Sequence, residues 1–197
     1  VEGDWSNAAL WLAAGAVGTA PVTVTGLDMN SPQGDRRIVD VLRQFGAAVT
    51  VDGDTVTVTP APLRGICLNA SQIPDLVPVI AAVAARAEGE TRITGIARLR
   101  IKESDRVASV TELLHTLGAD ISSDETAIVI RGGRPLTGGT VSSFRDHRLV
   151  MCAFVASLYA EGEVSVTDAQ AINKSYPDFT SHIAALGGQF DEKEDNR

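Results

Sequence analysis

The sequence predicts an α/β fold made of three repeated βαβαββ-like units with buried parallel helices. Three observations lead there. The chain repeats itself at an interval of about seventy residues. The first helical run of each repeat is apolar nearly all round, which implies burial. The second is amphipathic and is followed by glycine, the usual left-handed helix stop. Self-similarity of this kind marks one supersecondary unit used several times.

The units read in order. In the first, Asp4 heads the apolar run WSNAALWLAAGAVG, which leads into the alternating strand at Val22. A second helix follows from Asp35, placing Ile38, Val41, Leu42 and Phe45 on one face and ending at Gly46. Thr55 opens a further alternating strand. In the second unit Asp75 heads LVPVIAAVAARAEGE, and a strand starts at Thr91. Its second helix begins at Asp105, carries Val107, Val110, Leu114 and Leu117 inward, and ends at Gly118 before a strand at Ala127. In the third, Asp146 heads HRLVMCAFVASLYAEGE, a strand starts at Val164, and a helix runs from Asp178 to Gly187. The three leading aspartates, at 4, 75 and 146, are separated by two equal intervals of 71 residues.

Residues 1–190 are therefore expected to form one domain, and 191–197 a charged, disordered tail. The third unit stops before a last strand, so an open sheet edge is expected near the C-terminus, unpaired or paired with another molecule. A chain that opens at Val1, directly into a helical pattern, reads as a piece of something longer.

The net charge of −8 argues against nucleic acid or an anionic membrane surface as the main partner. No apolar run reaches the roughly 18 residues of a membrane span, and no signal peptide is visible. Cys67 and Cys152 lack metal-ligand spacing and are expected to be buried free thiols in a reducing compartment. His115, His147 and His182 form no metal-binding pattern.

The chemistry-bearing residues cluster where the repeat puts helix starts. Asp4, Asp75 and Asp146 are each expected to cap a buried helix, and parallel helices opening in one direction would pool their positive ends at one surface. Cations crowd the same places: Arg98, Arg100, Lys102 and Arg106 lie within nine positions, Arg145 and Arg148 flank Asp146, and Lys174 precedes the last helix. Cations are normally disfavoured at helix N-termini, so the clustering points to a bound polyanion.

The motifs GDWSNAAL, NSPQGD, SQIPDLVP, RLRIKESDRV, RDHRLVMC and KSYPDF, in this order, closely resemble the C-terminal part of EPSP synthase, over Val1 to about Phe190. The resemblance implies transfer of the enolpyruvyl group of phosphoenolpyruvate to the 5-hydroxyl of shikimate 3-phosphate, releasing phosphate. That is a cytoplasmic step toward the aromatic amino acids. It implies Asp75 as the carboxylate on the attacking hydroxyl and Glu103 as the acid and base at the enol methylene. Lys102, with Arg98 held less firmly, would bind the shikimate substrate. Arg106 and Arg148 would bind phosphoenolpyruvate, whose oxyanions suit guanidinium forks, and Lys174 would stand near the transferring phosphate. No metal or organic cofactor is implied. The family's other domain and N-terminal segment are not in this sequence, so the chain alone is expected to be inactive. Two other readings remain: UDP-N-acetylglucosamine enolpyruvyl transferase, and a non-catalytic anion-binding module.

Overall fold

In the computed structural model, residues 2–191 are described. Helix α1 (Trp5–Val17) leads into strand β1 (Val22–Val24), and α2 (Ile38–Phe45) into β2 (Ala48–Asp52) and β3 (Thr55–Thr59). Next come β4 (Cys67–Asn69), α3 (Val77–Arg86), β5 (Gly89–Thr94), α4 (Arg106–Thr116), β6 (Asp120–Ser123) and β7 (Ala127–Gly132). The described chain finishes with β8 (Gly139–Ser142), α5 (His147–Ser157), β9 (Val164–Thr167) and α6 (Phe179–Ala185). Short 3-10 turns at Gly34–Arg37, Pro74–Leu76, Ala97–Ile101 and Ala169–Lys174 precede α2, α3, α4 and α6.

The strands form three sheets in an α/β fold. β1, β3 and β2 make an antiparallel sheet in that spatial order. The second sheet runs β4-β5-β7-β6, with β4 parallel to β5 and the remaining pairs antiparallel. β8 and β9 form a parallel pair, and β9 has no second strand partner among the described residues. Four of these strands, β2, β4, β6 and β8, have no counterpart in the alternating runs picked out from sequence.

α1, α3 and α5 pack on one another inside the sheets. Their composition explains it: Leu10, Leu12, Val77, Ile80, Leu149 and Met151 are wholly enclosed on all sides of these helices. Gly15 lets α1 press onto its sheet, because a Cβ there would stand 2.8 Å from the Val58 carbonyl oxygen. The amphipathic helices behave as their periodicity dictates, with Ile38, Val41, Leu42 and Phe45 of α2 buried. Gly46, at φ 97°, closes α2 in the left-handed conformation that disfavours side chains bearing Cβ.

One expectation is corrected. Cys67 is exposed, because a three-residue strand at its sheet's edge turns it outward; only Cys152 is a buried thiol, and burial pushes it well up from its ordinary pKa. The expected disordered tail lies, apart from the exposed Asp191, outside the described residues. No helix among the described residues is long and apolar enough to cross a membrane.

Candidate active site

The first turns of α1, α3 and α5 meet at one end of the helical core, and the charged residues gather there. Asp146, fully buried, caps α5 by accepting the Arg148 backbone N–H at 2.9 Å. Its two oxygens also take the Arg106 fork, Nε at 2.7 Å and Nη2 at 3.1 Å, and the Ser104 hydroxyl at 3.1 Å. Burial pushes the Asp146 carboxyl up, but the Arg106 guanidinium outweighs it and holds the group below the usual carboxylate range.

The third donor of Arg106, Nη1, reaches Asp75 at 2.6 Å, and Lys102 Nζ reaches the same Asp75 oxygen at 2.9 Å. Here the capping expectation fails. Asp75 lies inside the 3-10 turn Pro74–Leu76, caps nothing, and points its carboxylate at two cations instead. Pro74 removes a backbone donor from that turn, so the local need for a cap is smaller. Desolvation raises Asp75; Lys102 and Arg106 more than offset it and keep it ionised below its ordinary value. Asp4, by contrast, does cap α1, accepting Ser6 N–H at 2.8 Å.

Glu103 bridges Lys174 Nζ at 2.6 Å and His147 Nδ1 at 3.0 Å. Partial burial acts to raise it, and Lys174 with His147 brings it below its ordinary value, so it rests as a carboxylate. His147 is pushed down by burial and then by Arg148, which makes it a neutral imidazole. A carboxylate can only accept, so the His147 proton sits on Nδ1 and faces Glu103.

Arg148 is 8% exposed; its Nη1 donates to the Ser6 carbonyl at 3.2 Å, and its buried Nε has no partner among the described residues. Arg98 is exposed and lines, with Lys102, Asp75, Asp35, Ser6 and Gln72, a cleft of about 320 Å³. Arg145 is exposed at φ 56°, a strained setting beside Phe144 at φ 51°. The loop that carries Lys174 is held by an aromatic cluster. Trp11 donates to the Tyr176 hydroxyl at 2.9 Å and packs edge-on to Phe154, with Phe179 behind.

Asp75, Lys102 and Arg106 thus join Arg148 through Asp146, and the Glu103–Lys174 pair reaches the same group through His147, whose Nδ1 lies 3.9 Å from Asp146 Oδ1. Sequence reasoning missed His147 as a partner of Glu103, Asp35 as a wall of the cleft, and Asp146 as the counter-ion of Arg106. The contiguous DHR triplet and the NSPQGD motif were the available signals. Oxygen or nitrogen atoms of Glu103, Asp146 and His147 lie within 4.8 Å of one another, but Arg106 and Lys174 already occupy these carboxylates. The arrangement suits binding of an oxyanion more than a cation.

A family model described as EPSP synthase (3-phosphoshikimate 1-carboxyvinyltransferase) matches residues 1–183. The chain is 41% identical, over 98% of its own length, to the 3-phosphoshikimate 1-carboxyvinyltransferase of Clostridium kluyveri, and 40% identical to that of Methanocorpusculum labreanum. It spans 45% and 46% of those relatives. Among solved structures, an EPSP synthase from Acinetobacter baumannii superposes with TM-score 0.82 at 29% identity, over 94% of this chain and 46% of that one. The enolpyruvyl transferase NikO from Streptomyces tendae does so at 0.77 and 25%, over 96% and 44%. On sequence and fold together, the chain belongs to the EPSP synthase family.

Proposed function

We propose that this chain forms one half of an enzyme that transfers the enolpyruvyl group of phosphoenolpyruvate to the 5-hydroxyl of shikimate 3-phosphate. The observation that carries the reading is the meeting of four cations (Lys102, Arg106, Arg148 and Lys174) with two carboxylates, Asp75 and Glu103, at one end of the core. Family membership supplies the reaction.

In this reading the hydroxyl adds to C2 of phosphoenolpyruvate while C3 gains a proton; phosphate then leaves as C3 loses one. Asp75, held ionised, accepts the proton of the attacking hydroxyl. Glu103 serves C3, and because it rests ionised it must first take up a proton, which loss of its contact with Lys174 to an arriving phosphate would favour. The partnerless Nε of Arg148 offers an unused donor to substrate. Lys102 and Arg98 would hold the shikimate partner in the cleft. Arg106, whose fork lies on Asp146, would contribute through Nη1 by exchanging Asp75 for a substrate oxygen.

The middle unit runs β4-α3-β5-α4-β6-β7, a βαβαββ order. The first, α1-β1-α2-β2-β3, and the third, β8-α5-β9-α6, would be shorter versions of it, and residues 1–190 one domain of a cytoplasmic two-domain enzyme. The other half would supply the remaining shikimate 3-phosphate contacts. Closure of two halves excludes water and orients the reactants, worth up to roughly 7–11 kcal/mol of barrier.

The test measures phosphate release from both substrates, first with this chain and then after adding the complementary half of the Clostridium kluyveri relative as a separate polypeptide. Turnover only on mixing, lost in Glu103→Gln, is expected. Full turnover by the chain alone would overturn the half-site reading. Replacing the acceptor with UDP-N-acetylglucosamine should give none.

A further inference from the structure

The cleft holds a second carboxyl that the proposed reaction does not use. Asp35, in the turn Gly34–Arg37, lines the same cleft as Asp75. It accepts a hydrogen bond from the Ser6 hydroxyl, while the carbonyl of the same Ser6 accepts Arg148 Nη1. One residue earlier, Trp5 N–H donates to Gln33 Oε1 at 3.0 Å, so the Asp35 loop and the first turn of α1 are stitched at two adjacent positions. Ser6 is therefore a relay with Asp35 on one side and Arg148 on the other.

The charges around Asp35 come from every neighbouring element. Asp4 faces it from the start of α1, Asp75 from the turn before α3, and Arg148 from α5. Arg98 and Lys102 share the cleft wall, and Arg36 and Arg37 lie on its own turn. Burial raises its carboxyl above the ordinary value, with Asp75 and Asp4 adding to the effect; Ser6 and Arg148 oppose it.

We propose that Asp35 is a positioning residue that aims Arg148 through Ser6 and takes up a proton when an oxyanion binds there. The inference rests on the anion-binding reading above. An anion on Arg148 cancels the attraction that favours ionised Asp35 and brings new negative charge close by. Both shift Asp35 toward its acid form, and the proton comes from solvent. The uncharged acid still has an oxygen to accept the Ser6 hydroxyl, so the relay survives the change. Linkage makes the effect reciprocal: protonating Asp35 must tighten anion binding by the same factor that anion binding tightens the proton.

Sulfate is the probe, a tetrahedral dianion that does not itself titrate between pH 4.5 and 7.5. Calorimetric titration of the 197-residue chain in two buffers of different ionisation enthalpy counts the protons taken up. The expected result is proton uptake by the wild type, with affinity falling several-fold as pH rises. D35N should keep the relay, bind more tightly than the wild type at the top of the pH range, and take up measurably fewer protons, leaving only the share that Glu103 takes when Lys174 turns to the anion. D35A, which breaks the relay, should bind about tenfold more weakly at every pH while remaining folded by circular dichroism. Proton uptake and pH profile unchanged in D35N would overturn the proposal for Asp35. Sulfate affinity unchanged in R148A would instead overturn the anion-site reading beneath it.

Discussion

At the start of α5, Asp146 is fully buried and commits both oxygens to the Arg106 fork, the helix cap and Ser104. At the start of α3, Asp75 is 36% exposed, caps nothing, and meets the remaining Arg106 nitrogen, Nη1, together with Lys102. The two aspartates occupy the same place in the repeat and share one arginine. One acts as a foundation and the other as a working surface. Complete satisfaction of its hydrogen bonds fixes Asp146 in place. Asp75 keeps an oxygen for something else.

This contrast predicts a large difference in stability. Asp146→Ala would leave Arg106 buried without its main partner, a change that costs about 3–5 kcal/mol. Asp75→Asn should cost no more than about 1 kcal/mol, since position 75 is partly exposed, Arg106 keeps its Asp146 fork, and the amide oxygen can still accept from Nη1. Urea unfolding curves of the two variants check this, and equal losses would dissolve the distinction. The pH dependence sharpens it. Asp146 has a depressed pKa in the folded chain, so its contribution is present above the unfolded value near 4 and is lost as pH falls through the folded one. The slope of stability against pH in acid should therefore flatten in Asp146→Asn. Asp4, the third member of the set, caps α1 without an arginine partner, and Asp4→Ala should cost about 1 kcal/mol by thermal unfolding. Lys174→Ala should matter least to stability, under about 1 kcal/mol, because Lys174 is 67% exposed. The same variant should still weaken phosphate binding in a calorimetric titration.

What the sequence made legible follows from which forces act locally. The all-apolar runs of α1, α3 and α5 and the glycine stops could be read because burial and backbone conformation leave a mark on residue type. β4 and β8 could not. Cys67–Asn69 is too short to show alternation, and β8 opens on Gly139; both are strands because parallel neighbours, β5 and β9, give them partners. The site divides in the same way. Clustered cations announced an anion surface, but the choice of Asp75 or Asp146 as the cap depends on a proline turn and on where Arg106 points. The link from Asp35 through Ser6 to Arg148 joins residues up to 142 positions apart, which no spacing in the sequence displays.

The bond from the Trp11 indole to the Tyr176 hydroxyl gives the chain a built-in optical gauge. Trp11 is nearly buried in α1, and Tyr176 sits two residues after Lys174 in the loop that holds it. Indole emission responds to polarity and to hydrogen bonding at its N–H. Any event that lifts the Lys174 loop away from Glu103 should therefore redden and dim Trp11, while Trp5, bonded to the Asp28 carbonyl, stays as an internal reference. Replacing Trp5 with phenylalanine would leave a single emitter for following the loop in stopped flow, without attaching any dye.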